Sequence, residues 1–432
     1  MLYKLKGNDS LKKTFLGFGL GAIQSGLMLM EAVKSGNFER FVILEVNGKL
    51  VEEVRSNNNS ITINTATNSG VEKFSIKDIE IYNPTDLKDL DKIKEAISNA
   101  DEMATAIPSV EFYDVGENSI VKLLANNINA SKPQILYASE NNNYAAEILL
   151  KKTKEYGTAE RLKNFQILNT VIGKMSGVIQ NKETITELGL NTITPKSSLA
   201  ILVEEFNHII ISKINLPNFA KGIEVFVEKE ELLPFEEAKL FGHNAVHSML
   251  GFLAHLKGFQ YMSEIKNDEE LWSYGEKTFQ NESGAFLLKK YKNLDEELFT
   301  EKGFSFYGSN LLERMTNPYL KDEVQRICRD PLRKLGYGDR LVGTMREDLK
   351  QGVVANRLAK GVLGGICFII KEKIDIGIAL PKNILELNKR DVREILIHIW
   401  KDDKDDGLKE QSLKIITSQF DEFVKSFIIK IK

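Results

Sequence analysis

Cysteine is scarce in this chain of 432 residues, which contains only Cys328 and Cys367. Because no two cysteines are close in sequence, zinc knuckles and thioredoxin-like redox sites are excluded, and a reducing compartment such as the cytoplasm is indicated. A large excess of charge of one sign is also missing, because the chain contains 58 Lys and Arg and 61 Asp and Glu, which gives a net charge of −3. This balance argues against a dedicated nucleic-acid-binding protein, which usually carries a basic stripe.

Long apolar runs are equally rare, and only the stretch 14–33, with a single charged residue, resembles a membrane span. We interpret it as a buried strand, a glycine cluster and a helix, because Gln24 and Ser25 lie at its centre. A membrane-associated sensor is an alternative that depends on this stretch alone. The polar start, 1–13, has no apolar core of a signal peptide.

Short apolar strands alternate with amphipathic helices along the first half of the chain, which predicts a parallel sheet with helices on both faces. The polar, β-branched segment 49–82 interrupts this alternation and predicts inserted hairpin strands. Further along, the pattern becomes helical, beginning with a helix over 197–213. We therefore predict an α/β Rossmann-like domain with an inserted β-hairpin region at 1–196, followed by a mainly α-helical domain at 197–432.

Glycines cluster at the first strand-to-helix turn, which reads GFGLGAIQSG over 17–26. A turn without Cβ atoms lets the backbone approach a pyrophosphate, whose charge is attracted by free amides at the helix N-terminus. Gly19 and Gly21 provide the expected pair, whereas Gln24 occupies the usual position of a third glycine, so the fingerprint is imperfect. The alternative is a glycine-rich turn used only for packing.

The next strand ends at Glu45, 24 residues after Gly21. A carboxylate there accepts hydrogen bonds from both ribose hydroxyls and repels a 2′-phosphate, so NAD is predicted rather than NADP. The predicted cofactor-binding residues are Gly19, Gly21, Ala22, Ile23, Glu45 and Thr105, the last at the carboxyl end of a third strand.

A helix that begins near Phe235 carries Lys239, His243 and His247 at spacings that place them on one face, with Asn244 offset by one residue. A desolvated lysine can act as general base on a hydroxyl, an amide can hold the resulting oxyanion, and a histidine can bind a neighbouring hydroxyl. This set suits hydride transfer from an alcohol without a metal. Two alternatives are a surface helix with scattered polar residues and a His243–His247 metal pair, which lacks a third ligand.

The spacing Lys239-x4-Asn244-x2-His247 resembles the signature of the mannitol dehydrogenase family of polyol-specific long-chain dehydrogenases. The segment FGLGAI at 18–23 is similar to the family's opening turn, and Ser139-Glu140-Asn141 is similar to its strand-end motif. The resemblance extends over about 14–375 and implies a helical second domain that uses NAD(P) without metal. It also implies Lys239 as base, Asn141 and Asn244 as oxyanion donors, and His247 as substrate binder.

The segment RDPLRKL at 329–335 resembles the branch of this family that acts on mannitol 1-phosphate. Clustered cations suit a phosphate dianion, although a solvated basic helix end is the alternative. The cations lie within twelve residues and are Arg329, Arg333, Lys334 and Arg340. The resemblance implies an NAD-dependent interconversion of D-mannitol 1-phosphate and D-fructose 6-phosphate.

Other functions remain open at this point. Asn207 occupies a position where the resemblance predicts an acidic residue, and Glu236 could relay the proton instead. The substrate could be a free polyol or a hexuronate, such as mannitol, arabinitol, fructuronate or tagaturonate. A catalytically silent NAD-binding regulatory protein is a further alternative. We expect a monomer or small homo-oligomer with a small-molecule partner, without nucleic acid or membrane.

Overall fold

The computed structural model describes residues 12–429. The chain divides into two compact units, Met1–Leu233 and Pro234–Lys432. The polar start over 1–11 and the end of the last predicted helix at Ile431 lie outside the described residues.

The first unit is built on a large sheet and a small sheet. Among the described residues its strands are β1 (Lys13–Phe18), β2 (Phe38–Leu44), β3 (Ile61–Ala66), β4 (Val71–Ile76), β5 (Ile79–Tyr82), β6 (Glu102–Thr105), β7 (Gln134–Ala138), β8 (Phe165–Val171), β9 (Ser176–Ile179), β10 (Ala200–Glu204), β11 (Ile209–Ser212) and β12 (Phe226–Lys229). The large sheet has the order β12-β11-β8-β7-β6-β1-β2-β5. Its segment β5-β2-β1-β6-β7-β8 is parallel throughout, which is the order of a doubly wound dinucleotide-binding sheet. The Rossmann-like prediction is confirmed.

The small sheet, in the order β4-β3-β10-β9, contains the predicted hairpin β3–β4. The rest of the inserted region differs from the prediction. A helix, Gly48–Ser56, precedes the hairpin, and β5 pairs in parallel with β2 of the large sheet. The helix forms because Asn47 caps it, its side chain accepting from the amide of Leu50, and because its apolar residues share one buried face.

Helices cover both faces of the large sheet and enclose two apolar cores. The described helices of this unit are Gln24–Leu29 (π), Met30–Ser35, Gly48–Ser56, Leu90–Asn99, Val110–Asp114 (3-10), Ile120–Asn127, Ala145–Tyr156, Ala159–Leu162 and Lys182–Glu187. The first of these continues from helical residues Ala22 and Ile23. The strand, turn and helix interpreted from the sequence over 14–33 are therefore present.

The predicted helix over 197–213 is wrong, because β10 and β11 occupy this segment. β10 pairs with β3 and β9 of the small sheet, and β11 pairs with β8 of the large sheet. These pairings keep the segment in the first unit, so the units divide after Leu233 rather than after residue 196.

The second unit is helical throughout its described part. Its helices are Leu233–Glu237, Ala238–Asn244 (π), Ala245–Lys257, Met262–Asn267 (3-10), Glu269–Thr278, Phe279–Ser283 (π), Gly284–Lys290, Glu301–Met315, Pro318–Leu320 (3-10), Val324–Cys328, Pro331–Lys334, Arg340–Lys350, Asn356–Lys371, Lys389–Ile399, Lys409–Ser418, Phe420–Phe423 and Val424–Ile428 (π). The Asn356–Lys371 helix packs closely on Ala245–Lys257 through Gly361, where a Cβ would lie 2.7 Å from Met249 Cγ. The mainly helical prediction is confirmed.

Candidate active site

The glycine turn, residues 17–21, begins in the last two residues of β1, at the point where the order of the parallel strands reverses. Gly19 has a φ of +90°, and a Cβ there would lie 3.2 Å from the carbonyl oxygen of Ala106. The positive φ and the nearby backbone of Ala106 therefore both favour glycine at this position. A Cβ at Gly21 would meet nothing within 4 Å among the described residues, so that side of the turn is open.

Ala22 and Ile23 form the first helical residues after this turn. Their backbone amides have no acceptor within the helix, and the helix dipole adds a partial positive charge at the same place. The four predicted residues Gly19, Gly21, Ala22 and Ile23 thus form an open helix N-terminus suited to an anionic group.

The imperfect third glycine position is explained by packing. Gln24 is fully buried, and its amide lies against β1, so that a Cβ at Gly17 would be 2.1 Å from Gln24 Nε2. The close approach occurs at Gly26 instead, where a Cβ would lie 2.3 Å from Cγ1 of Val203 in β10. The first helix therefore uses a glycine to pack against the small sheet, and the fingerprint is shifted by two residues.

Glu45 lies directly across the glycine turn, as predicted. Its Oε2 accepts a hydrogen bond from the amide of Leu20 at 2.8 Å, and its Oε1 accepts from the amide of Asn47 at 2.8 Å. These contacts hold a partly exposed carboxylate beside the open helix N-terminus. The position matches that of a group that binds ribose hydroxyls.

The side chain of Thr105 does not face an open sheet edge as predicted. It is fully buried, and its hydroxyl donates to Glu140 Oε2 at 2.9 Å. Glu140 also accepts from the Ile107 amide at 3.0 Å and from the Tyr113 hydroxyl. Burial raises the pKa of the Glu140 carboxyl. Glu140 thereby fixes the strand ends of β6 and β7 and leaves the next residue, Asn141, exposed.

In the second unit, the predicted reactive residues lie on one continuous helix, 233–257, whose middle part is a π-turn. We call this part, Ala238–Asn244, the reactive turn. Because π-helical hydrogen bonds join residues five apart, positions 239 and 244 lie closer to the same side of the helix here than in a regular α-helix. The π-turn therefore reduces the offset of Asn244 expected from the sequence.

Lys239 is partly buried within this turn. Burial and the nearby guanidinium of Arg340 lower the pKa of its ammonium group from the ordinary 10.5 to about 8, against an opposing effect of the Glu236 carboxylate. An amine with a pKa near neutrality is suited to proton transfer, because both of its protonation states are accessible. The contribution of Glu236 also places this carboxylate close to the base.

The two histidines of the helix have different environments. The pKa of His243 lies well below its usual 6.5, so this imidazole is neutral. Burial is the largest cause, and the charges of His247 and Arg314 lower the pKa further. His247 lies beside it, with 5.8 Å between the ring centroids. His247 Nε2 lies 3.2 Å from Oδ2 of the buried Asp322, whose Oδ1 accepts from Arg326 Nε at 2.9 Å. Asp322, which sequence analysis missed, therefore orients His247.

The four predicted phosphate-binding cations do not form one exposed cluster. Arg329 and Arg333 are exposed, whereas Lys334 is buried and its ammonium donates to the carbonyls of Ile327, at 2.6 Å, and of Arg329. Arg340 is also buried. Of the four, Arg340 is the cation that lowers the pKa of both Lys239 and His243, so it lies near both side chains.

Arg314 is a further cation that sequence analysis missed. It lies on the Glu301–Met315 helix, seven residues after Tyr307, and therefore on the same helix face. That face packs on the reactive turn, since a Cβ at Gly242 would lie 3.6 Å from Tyr307 Cε1. The charge of Arg314 lowers the pKa of His243. Two cations, Arg314 and Arg340, thus flank the reactive residues, and no sequence motif connects them.

Other predicted features have simpler outcomes. The amide of Asn207 donates to Oε2 of the buried Glu31 at 3.3 Å, within the first unit.

Along residues 12–429, we find no helix that combines the length and apolar character needed to cross a membrane. Over the same range, no three His, Cys, Asp or Glu side chains gather into a group that could bind a metal ion. His243 and His247 therefore remain a pair.

Comparison with known proteins agrees with this arrangement. Residues 231–381 match the model of the mannitol dehydrogenase C-terminal domain. The mannitol-1-phosphate 5-dehydrogenase of Caldanaerobacter subterraneus is 27% identical over 360 residues, covering 83% of this chain and 86% of the relative. The enzyme of the same name from Clostridium acetobutylicum is 28% identical over 365 residues, covering 83% and 87%. The chain therefore contains a region that matches the mannitol dehydrogenase C-terminal domain, and over most of its length it is similar to mannitol-1-phosphate 5-dehydrogenases.

Two solved dehydrogenase structures share the fold. A substrate-free D-sorbitol dehydrogenase superposes with a TM-score of 0.72 at 13% identity, covering 97% of this chain and 94% of that one. Pseudomonas fluorescens mannitol 2-dehydrogenase, in a ternary complex with NAD and D-mannitol, gives a TM-score of 0.64 at 13% identity, covering 96% and 92%. The chain therefore shares the fold of these two dehydrogenases.

Proposed function

We propose that this chain is a member of the mannitol dehydrogenase family and an NAD-dependent polyol-phosphate dehydrogenase that interconverts D-mannitol 1-phosphate and D-fructose 6-phosphate. The observation that carries the proposal is the reactive turn, where the pKa of Lys239 is lowered to about 8 and the π-turn brings position 244 toward the side of position 239. The names of the bacterial relatives support the same reaction.

NAD fits the residues of the first unit. The glycine turn and the amides of Ala22 and Ile23 would hold the pyrophosphate, and the carboxylate of Glu45 would hold the adenosine ribose. When bound, NAD supplies a nicotinamide ring that accepts a hydride from the alcohol carbon. Thr105 contributes its backbone position at the strand end rather than its hydroxyl, which is bonded to Glu140.

The proposed proton path begins at the substrate hydroxyl. Neutral Lys239 takes the hydroxyl proton, and Glu236, close enough to affect the pKa of Lys239, passes a proton onward to water. Asn244, together with Asn141 as the resemblance implies, donates hydrogen bonds to the oxygen as it becomes a carbonyl. His247, held by Asp322, binds a neighbouring hydroxyl. Because a lysine and amides handle the proton and the charge, the proposed mechanism uses no metal.

Cofactor choice gives one prediction. Replacing Glu45 with alanine removes the charge that disfavours a 2′-phosphate and weakens ribose binding. We expect the NAD preference over NADP, taken as the ratio of kcat/KM values, to fall about ten- to hundredfold, the equivalent of one charged hydrogen bond. Glu52→Ala, which removes an exposed carboxylate on the following helix, is the matched control. An unchanged cofactor ratio in Glu45→Ala would contradict this assignment.

Substrate choice is tested by NADH consumption with fructose 6-phosphate, fructose, tagaturonate and fructuronate. We expect the highest kcat/KM with fructose 6-phosphate, because the cations Arg314 and Arg340 flank the base. A higher value with a hexuronate or free fructose would reject the phosphate. Binding of NADH without any turnover across a wider panel of polyols and ketoses would support a regulatory protein.

The cations can be ranked by substitution. Arg340→Ala is expected to raise KM for fructose 6-phosphate about ten- to hundredfold, because a buried charge-assisted contact is lost. Arg329→Ala and Arg333→Ala are expected to have smaller effects, since both guanidinium groups are exposed to solvent. The measurement is KM for fructose 6-phosphate compared with fructose. An equal rise for both ketoses would mean that Arg340 does not recognise the phosphate.

A further inference from the structure

Two π-turns contact each other in the second unit, and a single hydroxyl connects them. Ser283 is the last residue of the π-turn Phe279–Ser283 and is fully buried. Its hydroxyl donates to the carbonyl oxygen of Phe241, in the middle of the reactive turn, at 2.6 Å. The buried hydroxyl of Thr344 lies farther from the same oxygen, at 3.4 Å, and bonds mainly to the carbonyl of Arg340.

The Phe241 carbonyl lacks its regular α-helical donor because of the geometry of the reactive turn. In a regular α-helix, the amide of Ala245 would donate to Phe241. Here the Ala245 amide donates to the carbonyls of Leu240 and Gly242 instead. A buried carbonyl is stabilised when another donor replaces such a bond. The Ser283 hydroxyl is such a donor.

We propose that Ser283 is a positioning residue that holds the reactive turn in its π-helical form. It thereby keeps Lys239 and Asn244 near the same side of the helix. Without the hydroxyl, regular α-helical bonding becomes the better way to satisfy Phe241. That bonding would move Asn244 to a different side of the helix from Lys239. The inference rests on the proposed function, because it assumes that Lys239 and Asn244 act on the same substrate oxygen.

The test is the Ser283→Ala variant of the full chain. We expect kcat to fall about ten- to hundredfold, as for a small misplacement of reacting groups, while KM and the affinity for NADH stay unchanged. The pKa of the base, read from the pH dependence of kcat/KM, is expected to rise, because Lys239 leaves its desolvated position beside Arg340. Ser283→Cys, of similar size and with a weak donor, is expected to give an intermediate kcat and serves if the alanine variant is unstable.

Ser412→Ala is the matched control. Its hydroxyl is fully buried in the same unit but lacks a hydrogen-bond partner among the described residues, so kcat and the pH profile should not change. Lys239→Ala, assayed in parallel, separates the two hypotheses. If Lys239→Ala is inactive and Ser283→Ala keeps wild-type kcat and pH profile, even with reduced stability, the positioning role is rejected. If Lys239→Ala is active, the proposed function itself fails.

Discussion

The Lys239→Ala enzyme is expected to lose about 10²- to 10⁴-fold in kcat, which is the usual contribution of a general base. NADH should still bind, because the glycine turn and Glu45 belong to the other unit and keep their structure. The measurements are steady-state turnover and NADH fluorescence titration. Lys257→Ala is a matched control on the same helix, where the ammonium forms ion pairs with Asp268 and Glu270. Turnover like that of the wild type in Lys239→Ala would overturn the assignment of the base.

The same residue predicts the direction of the pH dependence. Oxidation of the alcohol needs neutral Lys239, whose pKa is lowered to about 8, so kcat/KM for oxidation should rise with pH and level off above that value. Reduction of the ketose needs the ammonium form and should decline over the same range. Because the Glu236 carboxylate raises the pKa of Lys239, Glu236→Gln is expected to shift the midpoint to lower pH.

Asp348→Asn is expected to abolish most of the pH dependence of stability in the second unit. Asp348 is fully buried, and neither carboxyl oxygen has a hydrogen-bond partner among the described residues. Burial, followed by the charges of Glu282 and Glu347, raises its pKa from 3.8 to about 9. The folded protein therefore keeps this group neutral over a pH range in which the unfolded chain ionises it.

A raised carboxyl pKa means that stability is highest at acidic pH and falls as pH rises from about 4 to about 9, because folding must take up a proton. At 1.36 kcal/mol per pH unit, the free energy of unfolding would fall by up to about 4 kcal/mol between about pH 5 and pH 8. An amide at this position cannot ionise, so its curve lacks this slope, whatever constant cost its own unpaired donors add.

Denaturation followed by tryptophan fluorescence measures this effect in the correct unit, since Trp272 and Trp400 both lie in the second unit. Asp421→Asn is the matched control, because its exposed carboxylate only pairs with Lys389. Its pH dependence should follow the wild type. Parallel curves for the wild type and Asp348→Asn would show that Asp348 does not carry the buried proton.

The Rossmann-like half of the fold was largely predictable, because parallel strands buried on both faces give short apolar runs with helices between them. The helix predicted over 197–213 and the boundary predicted after residue 196 differ from the structure for the same reason. The strands β10 and β11 form within a segment whose spacing of apolar residues also fits a helix, and their partners β3, β9 and β8 are distant in sequence. Non-local pairing decided the structure of this segment, and no local pattern contains that information.

The candidate site was predictable as a set of residues but not as a geometry. The spacing of Lys239, Asn244 and His247 selected a candidate helix, but it did not indicate the π-turn, whose Phe241 carbonyl accepts a hydrogen bond from Ser283 elsewhere in the chain. The prediction of the phosphate-binding cations shows that neighbours in sequence need not share one site. Arg329 and Arg333 are close in sequence to Arg340 but remain exposed, whereas Arg314, on another helix, approaches His243. Closeness in sequence was therefore a poor guide to closeness in space.

The contact between Gly26 and Val203 has a consequence for how related sequences should be compared. Because a Cβ at position 26 would overlap the valine, the two positions form a single steric pair although they are distant in the chain. Substitutions at one of them should be tolerated only together with a compensating loss of volume at the other. An alignment that treats the helix and the small sheet as independent regions would miss this coupled exchange.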